Sequence, residues 1–371
     1  MDVFELRRST LTRRDFIKAA SATLAFLGLS QALTPKVVKA LEGTVGKPAV
    51  IWLEGQDCAG CVESFLNSME PSAASILLDT ISLRYNETAM DASGYLAEQV
   101  LEETIAQGGY VLVLEGAIPL AEDGKFCTIG GRPFKDIVRE TAANAAAIVC
   151  VGSCATYGGI PRSGPTDAVG YLYRGTQLHH YFDDAGTKPV INLPTCPVHP
   201  ERLTAVIIHY LTFGTVPELD DFQRPVAFYG TNQHDNCPRR GHFDAGRYVT
   251  DWSDPSQQGW CLYLKGCKGP WAYQDCWSRL WNGRTNYCIQ ANHPCVGCSE
   301  PEFYDTFSPL YERRFDVEVP GIGRVEIDKI MYAVGGAVAA GVGASAIADQ
   351  VAKRSKRGKN GPGDDGAGKE D

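Results

Sequence analysis

The chain has 371 residues and a formal net charge of -9, a length that accommodates two domains and a substantial core and an acidity that argues against nucleic acid as a main partner. Its thirteen cysteines are odd in number, which excludes complete internal disulfide pairing. Their spacing is more informative than their count: Cys58/Cys61, Cys237, Cys261/Cys267, Cys276/Cys288 and Cys295/Cys298 fall into sets, with Cys154 and Cys196 standing alone.

Residues 1–40 read as an export signal. Thr12-Arg13-Arg14-Asp15-Phe16-Ile17-Lys18 has the form of a twin-arginine motif and is followed by an apolar run over 19–33. Twin-arginine export carries proteins already folded around cofactors. That suits metal-bound cysteines and weakens a disulfide reading.

From 47 to 224 the pattern alternates strand and helix. Strands are expected at 49–54, 76–84, 110–115, 147–152 and 189–193, and helices at 61–69, 93–106, 134–144 and 200–213. The fold class this predicts is α/β, a flavodoxin-like doubly wound parallel sheet. In such a sheet the loops after the strands share one edge, and helix N-termini converge there. The loop after the first strand holds Cys58-x-x-Cys61, the loop after the fourth holds Cys154 and the loop after the fifth holds Cys196. A lone CxxC is compatible with a thioredoxin-like redox pair, and a lone Cys154 with a small packing residue. Four cysteines at one edge instead predict a four-thiolate site. The Gly-rich stretch 152–159 is no P-loop, because no Lys-Ser/Thr follows it. Glu115, ending the third strand, and Asp57, beside Cys58, are each readable as capping groups or as proton carriers.

Periodicity stops near Pro225. Residues 225–320 are rich in Gly, Pro, Trp and Cys and contain His234-x-x-Cys237, Cys261, Cys267, Cys276, Cys288 and Cys295-x-x-Cys298. A segment with so little regular structure buries little apolar surface, so bound metal is expected to hold it together. Zinc could use the same groups. Residues 329–352 contain an apolar stretch rich in small residues, followed by the basic cluster Lys353-Arg354-Ser355-Lys356-Arg357. About 20 residues span a bilayer, so this segment is expected to be a transmembrane anchor with the body outside the cytoplasm. Residues 353–371 are a basic tail of disorder-prone composition. No histidine follows His293, so the anchor itself offers no axial imidazole to a haem.

The motifs resemble one family: the small, iron–sulfur, electron-transferring subunit of membrane-bound nickel–iron hydrogenases. They are the strand–CxGC loop, EGAIP (115–119), GSCATYGG (152–159), PTCP (194–197), GTNQHDNC (230–237), the Cys261–Cys267 pair and HPCVGCSEP (293–301). The resemblance implies two [4Fe–4S] clusters, a proximal one on Cys58, Cys61, Cys154 and Cys196 and a distal one on His234, Cys237, Cys261 and Cys267. It implies a medial cluster on Cys276, Cys295 and Cys298, which is [3Fe–4S] in much of the family. Where many members have proline this chain has Cys288, and a fourth thiolate there would make the medial cluster [4Fe–4S]. Oxygen-tolerant members add two cysteines near the proximal cluster; the matching positions here are Gly60 and Gly159. Cys127 and Cys150 match no ligand position.

The family's nickel–iron site lies in the large subunit, on two CxxC pairs, the second followed three residues on by His. Here Ser-Glu-Pro follows Cys298, so no catalytic residue is expected in this chain. The implied partners are a large subunit, the membrane, and a membrane-bound cytochrome or iron–sulfur acceptor, with no nucleic acid. Two readings compete: an electron-transfer subunit of a related sulfur- or quinone-linked complex, and a zinc-stabilised exported binding module.

Overall fold

The structure, a computed structural model, describes residues 47–182, 188–304, 310–312, 317–319 and 323–325, together with Gly341 and Ser345. Contacts divide the chain into two units after Arg313. In the first unit, β1 (Ala49–Glu54), β2 (Ser82–Tyr85), β3 (Val111–Glu115), β4 (Ala147–Val151) and β5 (Val190–Leu193) form one sheet in the order β5-β4-β3-β1-β2. Every pairing in it is parallel. This is the flavodoxin-type order, in which the switch of direction falls between β1 and β3. Near-continuous apolar runs, AVIWLE and AIVCV among them, suit strands covered on both faces.

The side-chain alternation of each strand feeds two separate cores. Ile51, Leu53, Leu112, Leu114 and Ile148 pack against α2 (Tyr95–Gln107) and α3 (Phe134–Asn144). Val50, Trp52, Val113, Val149 and Ile191 pack against α1 (Gly60–Leu66) and α5 (Pro200–Phe213). Each large aliphatic residue so buried contributes about 1.5–3 kcal/mol relative to exposure. The doubly wound α/β expectation therefore holds for this part of the chain.

Two local expectations are corrected. Residues 76–84 do not form one strand; a helix at Ala73–Ser75 runs into a wide turn at Ile76–Thr80, and β2 starts at Ser82. The Ser72 hydroxyl accepts from the Ser75 amide at 3.2 Å and starts that helix. Of its apolar residues Ile76 is buried whereas Leu78 is 69% exposed, and so short a run has no periodicity by which to choose. The Gly-rich stretch after β4 is likewise not a loop: Gly152–Tyr157 is a helix, α4, ended by Gly158 at φ 89°.

Beyond Pro225 the described α-helices are α6 (Val226–Tyr229), α7 (Arg240–Asp244) and α8 (Cys276–Arg279), none longer than five residues. They surround a small core of eight buried residues, three of which are Cys267, Cys276 and Cys295. That core is too small to define this segment by apolar burial alone. The second unit contributes one described element, the antiparallel pair Val317–Val319 and Gly323–Val325. The expected signal at 1–40 and tail at 353–371 lie outside the described residues, as does the anchor at 329–352 apart from Gly341 and Ser345, both helical. Among the described residues, no helix is long and apolar enough to cross a membrane.

His199 joins the sheet to the cysteine-rich segment. Its ring is 2% exposed; Nδ1 accepts from the Glu201 amide at 3.2 Å, capping α5, and Nε2 donates to the Leu280 carbonyl at 2.5 Å. Burial, aided by the Arg202 charge, lowers its pKa from the ordinary 6.5 to about 3. The folded state thus binds fewer protons than the unfolded one between those values. The stability this contributes is complete above about 6.5 and is lost as pH falls toward about 3. Thermal melts at pH 7.5 and pH 5.5 should differ by on the order of 1 kcal/mol through this residue. His199→Asn, which keeps a cap without the titration, should flatten that part of the slope.

Candidate functional site

The loop after β1 turns through Ala59, which has φ 57° and offers α1 no side-chain cap. Glu115 supplies one from the end of β3. Its carboxylate, 1% exposed, accepts from the Cys61 amide at 2.8 Å, the Val62 amide at 3.0 Å and the Trp52 indole at 3.1 Å. Burial lifts its pKa to about 8, with Asp57 and Glu54 adding to the rise and the hydrogen bonds opposing it. Of the two sequence readings of Glu115, capping is the one with hydrogen bonds to support it. Asp57 is raised to about 6 by burial and by Glu54.

The sheet edge brings Cys58, Cys61, Cys154 and Cys196 together. Burial pushes the Cys61 thiol up, and Glu115, Cys154 and Cys196 push it further; Cys154 in turn feels Cys196 and Cys58. Glycines make the room. A Cβ on Gly152 (φ 80°) would sit 2.5 Å from Cys61 Sγ, one on Gly159 (φ 49°) 2.8 Å from Cys154 Sγ, and one on Gly60 3.0 Å from Cys58 Sγ. Cys58 and Cys196 are exposed, so this site opens at the protein surface.

His234, Cys237, Cys261 and Cys267 line one pocket, with Arg239, Leu262 and Tyr263 among its walls. Cys267 is pushed up to about 11 by burial, with smaller contributions from Cys237 and Cys261. The His234 pKa is lowered, chiefly by burial. A neutral imidazole beside three thiols is a mixed donor set of the kind iron and zinc both accept.

Cys276, Cys288, Cys295 and Cys298 form the third set. The Cys298 thiol is pushed up by burial and further by the neighbouring Cys276 and Cys288; Cys295 feels Cys267, Cys298 and Cys288. Cys288 is an exposed residue, yet its thiol is raised by burial and by Cys276. The three sets are contiguous: Cys298 feels Cys196, and the amide of Lys268, next to Cys267, donates to the Cys295 carbonyl at 2.6 Å. Ser153 reinforces the first junction, donating to the Cys298 carbonyl and accepting from the Thr195 amide at 3.0 Å.

All thirteen cysteines are free thiols. Among the described residues no three His, Cys, Asp or Glu side chains are arranged to hold a metal ion directly. Ligands of a multi-iron cluster bind different irons and need not converge on one point. Three features fit such clusters: nearly all-thiol donor sets, glycines that leave room beside the sulfurs, and thiols too buried to ionise without a cation beside them. Cys150 is fully buried within β4 and Cys127 is raised to about 11 by burial; neither is coupled to another thiol.

Sequence reasoning missed Arg202, Gln274 and Trp281, each of which donates to a sulfur of the third set. Arg202 alone left a signal, as a charged residue among the buried Leu203, Ala205 and Val206 of α5. Gly152→Ala tests the cradle. The added methyl would overlap Cys61 Sγ at a backbone angle that favours glycine, so the purified protein should contain less iron while its circular dichroism remains α/β. Unchanged iron would show that the cradle is not needed.

Two family descriptions match in tandem: the 20 Kd subunit of NADH ubiquinone oxidoreductase over residues 58–210, and the C-terminal region of the NiFe/NiFeSe hydrogenase small subunit over 229–311. The chain is 43% identical over 360 residues to the uptake hydrogenase small subunit of Azotobacter vinelandii, covering 96% of each. It is 40% identical over 354 residues to the hydrogenase-1 small chain of Escherichia coli K12, covering 94% of this chain and 92% of that one. Among solved structures, a [NiFeSe] hydrogenase of Desulfomicrobium baculatum matches with a TM-score of 0.66 and 34% identity, over 73% of this chain and all of that one. The match over nearly the whole length places this chain in the family of nickel–iron hydrogenase small subunits.

Proposed function

We propose that this chain is the electron-relay subunit of a nickel–iron hydrogenase, with the hydrogen-activating metal site in its large-subunit partner. Oxidation of one H2 there yields two protons and two electrons, and iron–sulfur centres in this chain carry the electrons away singly. Cys58, Cys61, Cys154 and Cys196 hold the proximal [4Fe–4S] cluster. Cys276, Cys288, Cys295 and Cys298 hold the medial one, and His234, Cys237, Cys261 and Cys267 the distal [4Fe–4S] cluster. The observation that carries this reading is the unbroken succession of the sets, joined by Ser153 between Thr195 and the Cys298 carbonyl and by the Lys268 amide on the Cys295 carbonyl. An iron and acid-labile sulfide assay on the purified complex tests it, since iron-free, colourless protein would refute it.

The medial centre is read as [4Fe–4S]. The support is that Cys288 is electrostatically coupled to the other three thiols. An oxidised [4Fe–4S] centre in its +2 state is silent in electron paramagnetic resonance. The native complex should therefore lack the sharp oxidised [3Fe–4S] signal near the free-electron position, and Cys288→Ala should create it. That signal at one spin per molecule in the native protein would remove Cys288 from the ligands.

Export by the twin-arginine segment, anchoring by residues 329–352 on the periplasmic side of the cytoplasmic membrane, and delivery to a membrane-bound cytochrome or iron–sulfur acceptor complete the proposal. Their support is the paired arginines, the apolar length and the basic residues that follow it. Truncation before Lys329 should release active heterodimer into the periplasmic fraction; retention in membranes would assign anchoring to the partner.

A further inference from the structure

Cys276 Sγ accepts hydrogen bonds from two side chains carried by different parts of the chain. Arg202 Nη2 reaches it at 3.6 Å from α5, and Trp281 Nε1 at 3.4 Å from the turn after α8. Arg202 is fully buried and held from three sides. Its Nε and Nη2 donate to Asp275 Oδ1 at 3.0 and 2.6 Å, its guanidinium lies 4.9 Å from the Tyr229 ring centroid, and Nη1 is 3.5 Å from the Tyr229 hydroxyl.

Arg202 does not have its carboxylate to itself. Arg279 donates to the other Asp275 oxygen at 2.8 Å and to Glu201 at 3.3 Å, so Arg202 shares Asp275 with a second buried guanidinium that has a further carboxylate of its own. A buried cation that shares its counter-ion gains from a further anion against it. A thiolate-ligated iron–sulfur centre is such an anion, and reduction makes it more negative. Hydrogen bonds to the sulfur and a nearby positive charge both favour the reduced state, and these are among the factors that set such a centre's potential.

We propose that Arg202 and Trp281 hold the potential of the medial centre up through Cys276, offsetting the negative charge that a fourth thiolate from Cys288 adds. They are positioning residues, and the inference rests on the reading that Cys276, Cys288, Cys295 and Cys298 bind an iron–sulfur centre. Arg202 lies only six residues past Cys196, so the short passage from β5 into α5 carries both a proximal thiol and the medial tuning charge.

Redox titration of the full-length complex, followed by paramagnetic resonance, tests this. Arg202→Met should lower the medial midpoint by at least about tenfold in the reduced-to-oxidised ratio at fixed potential, about 59 mV for one electron. Trp281→Phe should shift it the same way by less, and Arg202→Lys should fall between native and Arg202→Met. The proximal and distal midpoints should not move. An unmoved medial midpoint, or an equal shift of all three centres, would overturn the inference. If Arg202→Met fails to assemble, Trp281→Phe, which keeps an aromatic ring against His199, decides alone. Loss of the underlying reading looks different: the native complex would show no titrating medial centre, which would overturn both.

Discussion

Buried thiols that lie against one another are hard to ionise, and the structure is organised around that difficulty. Cys61, Cys295 and Cys298 are each driven upward by burial and again by neighbouring thiols. Such sets are stable as thiolates only with a strongly cationic group among them, and bound iron is that group. The surrounding fold does what the metal cannot: it brings the sulfurs together and keeps other atoms out of the space beside them. Glycine at 60, 152 and 159 serves that end, since a methyl at any of the three would crowd a sulfur.

The parallel sheet supplies the rigid part. Its switch point lies between β1 and β3, so the loop bearing Cys58 and Cys61 stands next to the end of β3, where Glu115 caps the helix that follows. The loops after β4 and β5 add Cys154 and Cys196 along the same edge. No comparable scaffold exists among the described residues of the cysteine-rich segment. There, hydrogen bonds and ion pairs to the sheet domain hold the ligand loops: Arg162 donates to the Pro301 carbonyl at 2.9 Å, and Arg224 to the Ser299 carbonyl at 3.2 Å and to Glu300. Asp275, between Arg202 and Arg279, does the same for α8. Ser153 and the Lys268 amide join neighbouring sets, through the carbonyls of Cys298 and Cys295.

Much of the site is legible in residue types and spacing. The strand ends predict that Cys58, Cys61, Cys154 and Cys196 meet, because a parallel sheet collects its post-strand loops on one edge whatever their separation in sequence. Helix α3 lies where the periodicity puts it, at Phe134–Asn144, and α5 at Pro200–Phe213, with Pro at the start and Gly214 at the end. Short apolar runs are not legible in this way. Residues 73–75 become helical through a serine cap and lead into the wide turn at 76–80, and 152–157 become helical because Gly152 permits a left-handed turn directly into α4.

The sequence by itself determined the donor chemistry, the α/β pattern and the family resemblance, because these depend on residue type and local spacing. Only the tertiary structure decided how the sets adjoin and what surrounds each sulfur. Arg202 and Cys276 are 74 positions apart, and Cys196 and Cys298 further still. No local periodicity encodes contacts of that range; they arise when α5 and the loops after residue 225 pack together. The donors to Cys276, and the carboxylate shared beside it, belong to that packing alone.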